Sequence, residues 1–162
     1  MKSTLILMLA SALTWLGGCD WVAQKTLEPG VSTEADVRKL MGEPELVWEE
    51  NDGERVLEYP RGPGGTETYM VSIGPDGKFR SMSNVLVPAM FEQVKSGMHR
   101  EQVRRLLGKP TDIVFFQLSS QEVWSFKHIG KLSYVDNFNV HFNLAGQVVD
   151  TSLTRDPQHD NT

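Results

Sequence analysis

The sequence predicts an α+β fold made of two tandem units, each a short helix followed by an antiparallel meander, with the helices packed on one face of the sheet. Three observations carry this. A long stretch of chain recurs in order, each copy opens with apolar residues at helical spacing that stop at a glycine and a proline, and each then alternates strand-like runs with turn residues. The 162 residues suffice for one compact unit or two small ones with a core of useful size.

The repeat is direct. Residues 30–44 read Gly-Val-Ser-Thr-Glu-Ala-Asp-Val-Arg-Lys-Leu-Met-Gly-Glu-Pro, and residues 97–110 read Gly-Met-His-Arg-Glu-Gln-Val-Arg-Arg-Leu-Leu-Gly-Lys-Pro. They superimpose with one residue inserted in the first copy. Downstream, Val56-Leu57-Glu58-Tyr59 answers Val123-Trp124-Ser125-Phe126, and Val71-Ser72-Ile73 before Asp76-Gly77 answers Val140-His141-Phe142 before Ala145-Gly146. A match that spans a whole unit in order is a tandem duplication.

In the first unit Thr33 is placed to cap a helix with Asp36 three residues on, and Val37, Leu40 and Met41 share one face. Gly42 supplies the stop and Pro44 forbids continuation. The second helix repeats the stripe with Val103, Leu106 and Leu107 and the stop with Gly108 and Pro110, but His99 or Arg100 stands where a better cap is expected. A preceding turn of helix is expected at Ala89 to Val94, with a weaker counterpart around Val22 to Leu27. Strands are expected at residues 45–49, 55–59, 68–73 and 78–86, and again at 112–117, 122–126, 138–144 and 147–153. Asn51-Asp52-Gly53 and Pro75-Asp76-Gly77 are turns, and Pro60 to Thr66, with three glycines and two prolines, reads as an exposed loop. The units are placed at residues 19–87 and 88–154, and the polar residues 155–162 are expected to be disordered.

Residues 1–18 read as an export signal: Lys2, an apolar run from Leu5 to Leu16, then Gly17-Gly18. The run is too short to span a bilayer, which takes roughly 20 apolar residues. Leu16-Gly17-Gly18-Cys19 resembles the lipobox of bacterial lipoproteins, and Cys19, the sole cysteine, is the expected lipid-attachment residue, carrying diacylglycerol and an N-acyl chain. More than one acyl chain gives stable anchoring, so the expected location is the cell envelope, facing the periplasm. Asp20 resembles an inner-membrane retention signal of enteric bacteria. Trp21 suits either the membrane interface or packing on the first helix.

Composition excludes one partner class. The chain carries a formal charge of −5 and no basic stripe, so nucleic acid is not an expected ligand. No enzyme site is visible. His99, His128, His141 and His159 lack metal-ligand spacing, although His128 and His141 could approach across strands with Asp136 between them in sequence. The Gly62-Pro63-Gly64-Gly65 run lacks the Lys and Ser/Thr of a phosphate loop. No metal or cofactor is expected. What remains is surface. Phe115 and Phe116 are adjacent on an expected strand, so a regular strand must turn one of them away from the core, unless the partner unit covers it. They are the candidate partner-binding residues. Trp48 and Tyr134 are further candidates for a sheet-face patch, whereas Trp124 and Phe126 are expected in the core.

The run Gly97-Met98, Gln102-Val103, Leu106-Leu107-Gly108 and Pro110, followed by Trp124 and Phe126, resembles the SmpA/OmlA, or BamE-like, domain; Gly30 to Pro44 with Leu57 and Tyr59 resembles it less closely. Two copies are also similar to the architecture of the secreted β-lactamase inhibitor proteins, which bind an enzyme with a concave sheet face. The resemblance implies non-catalytic protein binding in the envelope, accessory to outer-membrane β-barrel protein assembly or envelope integrity, and leans to the outer membrane. An inhibitor-like binder of a soluble envelope enzyme is the other reading.

Overall fold

The computed structural model describes residues 19–130 and 133–156. The expected export signal, His159 and the tail beyond Asp156 lie outside the described residues, as do the side chains of Cys19 and Trp21.

The order of elements is the same twice over. Helices α1 (Cys19–Thr26) and α2 (Glu34–Met41) precede strands β1 (Leu46–Glu49), β2 (Arg55–Arg61), β3 (Glu67–Ile73) and β4 (Phe79–Asn84); helices α3 (Pro88–Phe91) and α4 (Arg100–Leu107) precede β5 (Asp112–Phe116), β6 (Gln121–Ile129), β7 (Val135–Phe142) and β8 (Val148–Arg155). The strands form two four-stranded antiparallel sheets in chain order, β1-β2-β3-β4 and β5-β6-β7-β8. The fold is therefore the tandem α+β arrangement expected. The copies share an irregularity as well: the register slips between Ser72 and Ile73 in the first sheet and between His141 and Phe142 in the second.

Local chemistry explains the helices. Thr33 caps α2, its Oγ1 accepting the Asp36 N–H at 3.3 Å while Asp36 Oδ2 accepts the Thr33 N–H at 2.8 Å. This holds the Asp36 carboxyl below its ordinary value, through the backbone bond to Thr33 first and its hydroxyl second. In α4 the reciprocal bond survives without a Ser or Thr: Gln102 Oε1 accepts the His99 N–H at 2.8 Å. Gly42 and Gly108 close the two helices at φ +79° and +80°.

Each sheet buries one face against its own helices. Leu57, Tyr59, Tyr69, Val71, Ile73 and Phe79 pack on Ala23, Leu27, Val37 and Met41; Trp124, Phe126, Phe138, Val140, Phe142 and Val148 pack on Phe91, Val103 and Leu107. Each such large side chain contributes about 1.5–3 kcal/mol. Trp124 and Phe126 are core, as expected.

The second unit covers part of the other face of the first sheet, at Glu58, Thr68 and Met70. Helix α4 lies between the two sheets: Val103 and Leu107 enter its own core, while Arg104 pairs with Glu58, whose side chain is fully buried. Glu58 Oε1 also accepts the Lys109 N–H at 2.8 Å. Arg105 pairs with Glu50 at 2.7 Å and its guanidinium lies 4.7 Å from the Trp48 ring centre; Lys109 pairs with Glu45.

Several boundaries differ from the sequence reading: β6 runs on to Ile129 and β7 begins at Val135, so their hairpin is longer than expected. Pro60 and Arg61 extend β2 instead of opening a loop, and Thr66 is buried. Strand β1 reaches only to the level of Glu58, so β2 is an edge at Pro60 on that side and no ladder partner is lost there. A turn of 3-10 helix at Pro63–Gly65 fills the remainder. Arg155, expected in the disordered tail, completes β8, and Asp156 is buried beside Lys127 at 2.7 Å.

Candidate protein-binding surface

Strand β5 is the outermost strand of the second sheet, hydrogen-bonded on one side to β6 alone. All five of its residues are exposed. Ile113 is 54% exposed, Phe115 52% and Phe116 51%, with Val114 beside them and Leu118 in the turn that follows. The register sets Ile113 opposite Trp124 and Phe115 opposite Glu122, so these two share the face that carries the core, and Val114 and Phe116 take the other.

The exposure on the core-bearing face has a local cause. Helix α4 covers β6 but stops short of β5: Arg100 at its first turn donates Nε–H to Glu122 Oε1 at 2.7 Å, and the same oxygen accepts the Trp124 indole N–H at 2.7 Å. That polar group rims the core, and Phe115 stands outside it. Neither the first unit nor any other described residue covers Phe115 and Phe116.

The middle of this sheet's second face carries a polar network. Ser125 donates to Asn139 Oδ1 at 2.8 Å, Asn139 Nδ2 donates to Thr154 at 3.0 Å, and His141 Nε2 lies 3.1 Å from Ser152 Oγ. The longest consecutive run of exposed apolar side chains among the described residues is that of β5, Ile113 to Phe116; Leu144, Val149 and Leu153 are exposed singly.

The other candidates are dispersed. Trp48 is engaged in the contact between units, and Tyr134 lies under Arg155 at 4.5 Å. His128 is buried beneath Phe91, with ring centres 4.8 Å apart and neither nitrogen hydrogen-bonded among the described residues. His141 sits on the opposite face of the sheet, so the two histidines are not brought together, although Asp136 does lie directly across from His128. No group of three metal-ligating side chains occurs among the described residues. No helix among them is long and apolar enough to cross a membrane.

The described residues form a two-unit α+β module whose second sheet carries a row of exposed apolar side chains along β5. Residues 83–152, most of the second unit, match the family model described as the outer membrane protein assembly factor BamE domain. No curated protein matches the chain. Among solved structures it is similar to a DUF4309 family protein, YjgB, from Bacillus subtilis, at 14% identity and a TM-score of 0.32, covering 82% of this chain and 84% of that one. It is also similar to a protein from Streptococcus mutans described as a candidate beta-lactamase inhibitor protein, at 12% identity and a TM-score of 0.33, covering 86% of this chain and 97% of that one.

Proposed function

We propose that this protein is a non-enzymatic binding module of the cell envelope, accessory to the assembly of outer-membrane β-barrel proteins, and held at a membrane by lipid on Cys19 with its two units facing the periplasm. The match of residues 83–152 to the BamE domain carries this reading. The apolar strand β5 lies inside the matched segment and gives the module a surface to bind with. The signal-like leader and the Leu16-Gly17-Gly18-Cys19 sequence supply the anchor. The matched family favours the outer membrane over the inner one suggested by Asp20.

The test is affinity capture of the full chain from detergent-solubilised envelopes, beside a Cys19→Ala variant, with mass spectrometry of the bound proteins and of the amino-terminal peptide. Barrel-assembly subunits are expected with the wild type, together with an acylated Cys19. Their consistent absence beside a different stoichiometric partner overturns the assembly role. An unmodified Cys19 overturns the anchor.

A further inference from the structure

The duplication permits a comparison that neither unit allows alone. Strands β1 and β5 occupy the same edge in the two sheets, and Pro44 and Pro110 fix the alignment between them. Glu45, Glu49 and Glu50 of the first unit correspond to Thr111, Phe115 and Phe116 of the second. Charged residues on an edge strand keep foreign strands from pairing with it. The first unit has that protection, strengthened by α4, whose Arg105 and the Lys109 that follows it engage Glu50 and Glu45. In the second unit the glutamates are replaced by bulky, uncharged side chains, and Asp112 is the one charge between Thr111 and Ser120.

The backbone agrees. Ile113 donates its N–H to Asp112 Oδ1 at 2.9 Å and not to β6. By the alternation of an antiparallel ladder, the N–H and C=O groups of Ile113 and Phe115 face the outer edge, and those of Asp112, Val114 and Phe116 face β6. The outer edge therefore offers the Phe115 N–H and the carbonyls of Ile113 and Phe115, flanked on both sides by apolar side chains.

We infer that β5 is a docking strand, which takes an extended segment of a partner protein as a fifth, antiparallel strand of the second sheet. The segment it fits carries aliphatic or aromatic residues on both faces and a Lys or Arg near its C-terminal end, where an antiparallel strand passes Asp112. Main-chain bonds would hold it and the side chains of β5 would select it. A second copy of this chain fits less well. Two-fold pairing centred on Val114 sets Asp112 of each copy against Phe116 of the other, leaving two carboxylates beside aromatic rings. The inference rests on the binding role proposed above and names the kind of segment bound.

The probe is an eight-residue peptide of valine, isoleucine and tyrosine with a lysine at its C-terminal end, titrated into the full chain and read by hydrogen exchange of β5 and by fluorescence anisotropy. Two analogues carry N-methyl groups on alternate amides, one on the set facing β5 and one on the opposite set. Saturable binding is expected to protect the Phe115 amide, to weaken about tenfold with the β5-facing set methylated, and to change little with the other. Phe115→Glu is expected to weaken binding by a similar factor without altering the urea midpoint. Equal binding of the two analogues would reduce β5 to a greasy patch and overturn the inference, and so would no binding. A dimer of the unliganded chain that Phe115→Glu dissolves would give the edge to a second copy and overturn it too. Barrel-assembly subunits still captured by Phe115→Glu would leave the broader role standing while this one fails.

Discussion

At the scale of single residues, burial decides what a polar group does, and Tyr59 shows it with a measurable sign. Its ring is fully buried in the first core and its hydroxyl donates to the Gly42 carbonyl at 3.0 Å, satisfying a group that the end of α2 leaves without a helical partner. Burial pushes the phenol from its ordinary 10.0 up to about 12. The folded state therefore holds its proton more tightly than the unfolded state does. That preference contributes stability in full below pH 10 and is lost as the pH rises through about 12. Tyr59→Phe is expected to cost about 1 kcal/mol at neutral pH, for one hydrogen bond, and to flatten the loss of stability on the alkaline side. Urea midpoints of both proteins at pH 8, 10 and 11 check this; parallel alkaline losses would mean that Tyr59 is not the titrating group.

At the scale of elements, the duplication supplies matched pairs in which one sequence feature meets two environments. Gly42 and Gly108 both end a helix at positive φ, but a Cβ on Gly42 would meet nothing within 4 Å, whereas one on Gly108 would lie 2.6 Å from Thr68 Cγ2 and 3.2 Å from Glu58 Oε1. Gly42→Ala should cost about 1–2 kcal/mol, the conformational term alone, and Gly108→Ala more, because α4 must also move off the first sheet. Equal shifts in chemical denaturation would show that the close approach at Gly108 costs nothing. Both glycines were legible as helix stops, as were the eight strands and the alternation that buries Trp124 and Phe126, because a local period and a local stop signal are written in the sequence. The extension of β2 through Pro60 was not, since a proline is tolerated there only because β1 ends early. Phe115 and Phe116 could be singled out as adjacent aromatics on a strand, but the exposure of Phe115 depends on where α4 stops, which no residue of β5 encodes. The sharper signal lay in the aligned repeats, where Glu49 and Glu50 give way to Phe115 and Phe116.

At the scale of the whole molecule, the two units are joined through one buried charge, and that joint predicts how the protein unfolds. Glu58 is fully buried because α4 of the other unit lies over it, with Arg104 only 17% exposed and the Lys109 N–H as a second partner. Removing one member of a buried pair leaves the other charge uncompensated at a cost of about 3–5 kcal/mol, while replacing both with groups of similar shape is nearly neutral. Arg104→Ala should therefore destabilise by about that amount and separate the unfolding of the two units, seen as a second transition in urea and as early exchange of the α4 amides. Glu58→Gln with Arg104→Leu should recover most of the loss, since the glutamine oxygen can still accept the Lys109 N–H. The exposed pairs Glu45–Lys109 and Glu50–Arg105 contribute little here, about 0–1 kcal/mol each, and 1 M salt, with a screening length of about 3 Å, should weaken them and spare the Glu58 pair. A wild-type chain that separates into two transitions in 1 M salt would therefore place the joint in the exposed pairs, and a single transition that persists in salt but splits in Arg104→Ala would place it at Glu58.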